Sequence, residues 1–536
     1  MVMDRLLGLE TEYAIRFSPV GSERPSNEKV YDAYAVAVAS LVETRRGMRE
    51  RELFLANGGA LHYETQLIAL ADGLVEGATP ECRGPSSAVL YQRAQDALLV
   101  EATPLAAAWL EQAGFCGELG LLKNCRDADG HWYGAQDNYE VDIARGAGLA
   151  VWRAGLVALL PVIVAGALVT WALMLVLFAA MLVSLGLALI AAILPRGRAV
   201  VLRLEAPGVR ALVLAAVVCE RAIWEPIVFV FLLLYRAVAF RRVRRAITGF
   251  VISRQVFTGA GTLEGDRLAL SEKAVAARRL CRVSMGTALA IFDGGNLCKR
   301  LPALANLKLR GYLALFRRRQ RFQLGVSDSN MAQVAEYLKV ATTCLVIDMA
   351  EAGALDDLPA VRRPVRTLHQ LARSEDLAAA LALQRRYLER AERFVRGHAT
   401  PSLEAVEAVG RWRDTLDALA RDPDELFGCV DWVTKRELIR RAGATGAERK
   451  KIDLKYHELG VGYFARLERA GFAPVVVSEA EAVAAQRQPP ADTPARARAR
   501  VMRELIAEAA RVRMTWDHVR VGGPLKGRVI RLDDYR

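Results

Sequence analysis

Two glutamates stand two residues apart in the stretch Gly8-Leu9-Glu10-Thr11-Glu12-Tyr13 of a 536-residue chain. Flanked by Leu6-Leu7 and Ala14-Ile15, the stretch predicts a β-strand, in which residues two apart share a face. Carboxylates held side by side repel and shift each other's pKa unless a cation lies between them. The pair is therefore the beginning of an oxygen-donor site for Mg²⁺ or Mn²⁺. A solvated sheet edge gives the same pattern, and further acids decide between the two. Glu64 ends a predicted strand pair, 52–55 and 60–64, joined by the hairpin-type turn Asn57-Gly58-Gly59. Asp72 falls in the loop that follows, and Glu76 and Glu81 in a turn carrying Gly77 and Pro80. Singly, each reads as a solvated surface group. Together with Glu10 and Glu12 they form a candidate multi-carboxylate cluster drawn from adjacent strands.

The rest of the composition narrows the chemistry. The formal charge of +13 rests on arginines scattered through helical stretches and beside one very apolar segment, which points to membrane flanks and nucleotide chemistry and away from nucleic acid. Eight cysteines without a Cys-x-x-Cys pair and six widely spaced histidines indicate neither a zinc site nor a disulfide framework. A reducing cytosol fits. The N-terminus has no signal-peptide core, and no internal repeat, Walker loop or Rossmann fingerprint is present.

Several segments, in order, resemble one family. They are Gly8-Leu9-Glu10-Thr11-Glu12-Tyr13, Asn57-Gly58-Gly59, Ala78-Thr79-Pro80-Glu81-Cys82, Lys123-Asn124 through Tyr133-Gly134 to Asn138-Tyr139, 250–261, 325–331 and Asp431-Trp432-Val433-Thr434-Lys435-Arg436. The chain is similar here to the Pup ligase and Pup deamidase/depupylase family. The resemblance implies an α+β, glutamine-synthetase-like carboxylate-amine ligase fold, an antiparallel sheet packed by helices. It also implies ATP and Mg²⁺ as cofactors, and a Pup-like small protein and protein lysines as partners. Glu10 and Glu76 match metal ligands, and His62 holds the position of a metal-ligating Tyr. Thr79 matches an ATP contact, and Glu64 stands at the position of the catalytic Asp, with Asp72 its rival because the loop is longer. Glu12, Glu81 and Asp137 are further candidate ligands. Trp432, with Lys435, Arg436 and Asn330, is the expected ATP contact set. The family's Asn-Thr-Arg-Asp-Glu-Pro-His-Ala-Asp run is missing between 271 and 322. The short 15–52 segment favours the ligase over the hydrolytic branch, and a membrane scaffold with a degenerate site is the further alternative.

The elements that must position these residues are interrupted. From Ala154 to Pro195 no side chain is charged, about twice the roughly 20 residues of one span, which predicts a transmembrane hairpin within 154–195. A second apolar run, 209–240, is broken by charges and reads as a span, a re-entrant segment or an interfacial helix. Family-like sequence resumes after it, so both flanks share a compartment, crossings are even in number, and the expected location is the bacterial inner membrane with the catalytic parts cytoplasmic. The predicted units are 1–146 and 247–475 as two parts of one catalytic domain, 147–246 as the membrane insertion, and 476–536 as a small C-terminal domain.

Overall fold

Strand β1 (Leu6–Pro19) alternates half-buried and buried residues along most of its length, the pattern of a strand with one face on a core and one on a cleft. In a computed structural model that describes residues 2–66, 71–127, 130–193, 214, 217–218, 221–283, 288–303, 309–505, 511–523 and 527–532, it is the central strand of a large mixed sheet. Its companions are β2 (Thr44–Arg46), β3 (Glu52–Leu55), β4 (Ala60–Gln66), β5 (Ala71–Ala78), β6 (Cys82–Arg83), β7 (Gly117–Leu122) and β8 (Ala135–Asp142). After the short hairpin β9 (Thr262–Glu264) and β10 (Arg267–Ala269) come β11 (Arg279–Arg282), β12 (Ala290–Asp293) and β13 (Arg319–Ser327). The order is β11-β12-β13-β8-β1-β5-β4-β3-β2, with β6 and β7 pairing to β1 outside this path. The β8–β13 ladder joins sequence from before and after the insertion in one sheet.

Tyr13, Ile15 and Val75 turn to the face covered by α1 (Asn27–Leu41) and α2 (Pro85–Gln112). Ser26 caps α1, its Oγ accepting from the Lys29 amide at 3.2 Å. Beneath this face a buried polar knot ties Tyr13 to Asp96 at 2.7 Å and Lys123 to Asp96 at 2.9 Å and Glu336 at 3.2 Å.

The turn expected around Glu76 is strand instead. Residues 71–78 pair with both β1 and β4, placing Glu76 between Glu12 and His62. The glycines that suggested a turn serve close approach: a Cβ on Gly77 would lie 2.3 Å from the Gln95 amide and one on Gly73 2.3 Å from the Tyr63 ring. A side chain at Gly73 would meet the Tyr63 ring and the Glu64 carbonyl, and one at Gly77 would have to displace the Gln95 side chain.

The insertion also differs from expectation. Among the described residues no hairpin turns within 154–193: a single helix, α3, runs Gly146–Ile193, about 72 Å long. Its one proline, Pro161, sits inside without ending it. The return arm is α4 (Arg221–Ala237), followed after a 78° bend by α5 (Arg241–Ser253). Antiparallel packing of α3 and α4 is seen where Leu234 lies over Gly155, Ile227 over Gly166, and Trp224 Nε1 donates to Thr170 Oγ1 at 3.2 Å. The roots of both arms belong to the main core: Trp152, Leu156, Ile163, Phe231, Tyr235 and Phe240 are buried in it. From Leu168 to Leu185, by contrast, α3 exposes Leu168, Trp171, Leu175, Phe178 and Val183. Among the described residues α3 is long and apolar enough to cross a membrane.

At the C-terminus an arginine-rich helix spans Pro494–Glu504, and β14 (Val512–Met514), β15 (His518–Val521) and β16 (Arg528–Arg531) form a small sheet. Together they pack on Phe54 and Ala60 of the large sheet.

Candidate active site

The sheet's open face carries polar residues in register. One row runs Glu12, Glu76, His62 across β1, β5 and β4, and a second runs Gln136, Glu10, Ala78 across β8, β1 and β5. Period two along β4 brings Glu64 to the same face as His62. The His62 ring nitrogen Nε2 lies 3.0 Å from a Glu76 oxygen and 3.3 Å from a Glu64 oxygen. Burial opposes a charge on His62, but its hydrogen bonds to Glu64 and Glu76 outweigh that and raise the ring to about 10. The same bond from His62 holds Glu64 below the usual carboxylate range. Burial, and next the Glu76 carboxylate, push Glu12 up to about 8, although its Oε2 accepts from the Gly134 amide at 3.0 Å. Burial and the neighbouring Glu76 both press on Glu12, as they do wherever acids crowd one partly buried face. Two carboxylates and an imidazole, Glu64, Glu76 and His62, bring donor atoms within 4.8 Å of one another, a set that fits a divalent ion, and Glu12 lies beside them on the neighbouring strand. Glu10 is engaged differently, by Arg321 at 2.6 Å, which also reaches Asn138 Oδ1 at 2.8 Å.

Beside Glu10 the face opens into a cleft of about 370 Å³, lined by Gly8, Thr79, Arg300, Arg317, Arg319, Arg321 and Trp516 among others. Burial, and then the neighbouring Arg321 and Arg317, lower the Arg300 pKa from its ordinary value. Guanidinium groups gathered this closely define a seat for a polyanion. Thr79 Oγ1 accepts from the Leu9 amide at 3.0 Å, fixing the floor. Trp516, from the C-terminal sheet, forms a wall and is 37 % exposed. Phe54 meets its edge and the Arg498 guanidinium stacks on it at 4.6 Å. Glu81 is taken by Arg498, Nη1 to Oε1 at 2.9 Å, and so braces this wall.

The structure thus brings Glu10, Glu12, His62, Glu64, Glu76 and Thr79 to one face, with Glu81 on its rim. It does not bring Asp137, whose buried carboxylate takes Arg254 at 3.1 Å on the opposite face. Asp72 is the second residue of β5, and its side chain lies outside the described residues. The expected nucleotide set around Trp432 is a structural knot. Trp432 is 4 % exposed and donates Nε1 to the Val256 carbonyl at 2.9 Å. Lys435 is buried on Asp453 and the Gly261 carbonyl, both at 2.7 Å, Arg436 reaches Asp424 at 2.6 Å, and Asn330 donates to Asp431 at 2.8 Å. Lys435→Met is therefore expected to cost stability, about 3–5 kcal/mol from the stranded Asp453, and to leave nucleotide affinity unchanged. Thermal melts and calorimetry on one sample check both halves.

Trp516, Arg300 and the arginines of β13 were not singled out from sequence. The alternation Arg317-x-Arg319-x-Arg321-x-Gln323 was a readable signal, since period two aims all four at one face. Trp516 had none, because only packing of the C-terminal sheet carries it to the cleft.

The Pup-ligase protein family model matches residues 5–520, nearly the whole chain. The chain belongs to the Pup-ligase family. It is 26 % identical to the Pup–protein ligase of Acidimicrobium ferrooxidans over 99 % of this chain and 96 % of that one. To the Pup deamidase/depupylase of Mycolicibacterium smegmatis it is 31 % identical, but over only 54 % of this chain and 59 % of that one. Among solved structures it is similar to the ligase PafA in complex with Pup, with a TM-score of 0.66 at 18 % identity over 99 % of this chain and 89 % of that chain. PafA in complex with ADP gives a TM-score of 0.60 at 16 % identity over 96 % and 93 %. These structures share the fold, a mixed sheet packed by helices.

Proposed function

We propose that this member of the family is an ATP-dependent carboxylate-amine ligase, joining a carboxylate of a Pup-like protein to a lysine amine. The observation that carries the reading is the continuity of one sheet face, in which an arginine-lined cleft with a tryptophan wall runs directly into the carboxylate and imidazole cluster. In the cleft Trp516 would carry the base of ATP, and Arg300, Arg317 and Arg321 would hold its phosphates. His62, Glu64 and Glu76 would hold a divalent cation, which would supply charge neutralisation at the phosphates. Activation of the substrate carboxylate by phosphoryl transfer is then served by arginine donors already in place. Attack by the amine needs a proton acceptor. Because the Glu64 carboxylate is committed to His62, Asp72 takes that role. Coverage of 99 % of this chain by the Acidimicrobium ferrooxidans ligase, against 54 % by the Mycolicibacterium smegmatis depupylase, supports the ligase direction.

Calorimetry tests this reading: wild type binds ATP only with a divalent cation present, and Trp516→Ala weakens binding about tenfold, equivalent to ~1.4 kcal/mol. Cation-independent binding, or full affinity in Trp516→Ala, would overturn it.

The same proposal places the catalytic face in the cytoplasm of a bacterium, beneath an α3–α4 pair that crosses the inner membrane. Its support is the run of exposed apolar side chains from Leu168 to Leu185 and the arginines at its foot, Arg153, Arg236, Arg241 and Arg245. After alkaline carbonate extraction the protein should remain in the pellet. Its appearance in the supernatant would refute the anchor.

A further inference from the structure

The donor set on the sheet face is not the one a Mg²⁺ site requires. Mg²⁺ is bound by carboxylates, phosphates and water, and dehydrates reluctantly, whereas an imidazole nitrogen suits first-row transition ions. Here the imidazole is at the centre of the group. His62 Nε2 sits 3.0 Å from Glu76 and 3.3 Å from Glu64, and the three donor atoms lie within 4.8 Å of one another. In an octahedron with bonds of about 2.1 Å, neighbouring donors are about 3.0 Å apart, and in a tetrahedron about 3.4 Å. The 3.0 and 3.3 Å hydrogen bonds match the edges of such a polyhedron, so an ion can take the place of the ring proton without moving the side chains. Glu12, on the next strand beside Glu76, supplies further negative charge without completing the group.

We infer that His62, Glu64 and Glu76 form a transition-metal site, taking an ion of the Mn²⁺, Fe²⁺ or Zn²⁺ class in preference to Mg²⁺, with His62 as the residue that sets the choice. This rests on the reading of the same face as the ligase site, and it makes the ion's identity a property of this chain's β4. Three side chains hold the ion, so nucleotide phosphates are left to occupy remaining positions and are not needed for the ion to bind.

The test uses the full-length protein in detergent, with no nucleotide and no turnover. Wild type is expected to bind Mn²⁺ at least tenfold more tightly than Mg²⁺ by calorimetry. The electron spin echo of bound Mn²⁺ is expected to be modulated by an imidazole ¹⁴N nucleus, and Zn²⁺ to displace it. His62→Gln, which substitutes an amide oxygen, should fold with an unchanged near-ultraviolet spectrum, lose the imidazole modulation and bring the two affinities within about threefold. If His62→Gln fails to fold, wild type alone decides through the ¹⁴N modulation. Bound Mn²⁺ without imidazole coupling, or equal affinities in wild type, overturns the inference while leaving cation-dependent ATP binding, and with it the ligase reading, standing. Absence of any divalent binding overturns both.

Discussion

Asp72→Asn is expected to slow ligation by about 10²–10⁴-fold, the usual contribution of a positioned general base, with ATP affinity within about twofold of wild type. The lysine nucleophile arrives as an ammonium with a pKa near 10.4, so almost none is reactive at neutral pH. Without a proton acceptor the enzyme must draw the small neutral fraction from solution. The residual rate of the variant should then climb about tenfold per pH unit below that pKa, a signature that a merely misfolded variant would not give. Glu64→Gln is the informative partner. Its carboxylate is bound to His62, so its loss should first weaken cation binding, and activity should return in part at high metal concentration. The reverse pattern, with Asp72→Asn active and Glu64→Gln dead at saturating cation, would move the base to Glu64. Single-turnover assays across pH and metal concentration separate the two.

How far these assignments were open to sequence depends on whether the cause is local. Glu10 and Glu12 share a face because of strand periodicity, a local rule, and the structure has them there. Ser26 caps α1 for an equally local reason. Glu76 was misplaced into a turn because Gly73 and Gly77 look the same whether they permit a positive φ or make room for Tyr63 and Gln95, side chains far off in sequence. Two tryptophans with neighbouring basic residues, Trp432 and Trp516, are indistinguishable in the sequence. Burial against Val256 for one and exposure on the cleft for the other are tertiary facts. Asp137 follows the same logic, one residue from Gln136 on its strand and for that reason on the wrong face.

The limits of the insertion are the hardest case, since a helix that is apolar all round does not reveal which part faces protein and which faces lipid. The sequence sets 147–246 apart as an insertion, so the excision it suggests replaces those residues with a short Gly/Ser linker. The structure predicts that this fails. It would remove Trp152, Leu156, Ile163, Phe231, Tyr235 and Phe240 from the main core, together with the bonds from Trp152 Nε1 to the Leu315 carbonyl at 2.9 Å and from Tyr312 to the Leu156 carbonyl at 2.6 Å. Truncating one such side chain costs about 2–5 kcal/mol, and a domain holds about 5–15 kcal/mol in all. A second excision, from Leu168 to Glu220, cuts where α3 leaves the core and keeps the Gly166–Ile227 contact, with the helices close enough for a linker of about six residues. The expected results are an insoluble first protein and a soluble second one with native near-ultraviolet dichroism and cation-dependent ATP binding. The Leu315 and Phe316 backbone held by Trp152 and Arg153 leads straight into Arg317, Arg319 and Arg321, so the roots of the hairpin also set the wall of the nucleotide cleft. A soluble, ATP-binding protein from the longer excision would show instead that the roots are dispensable and that the cleft stands on the sheet alone.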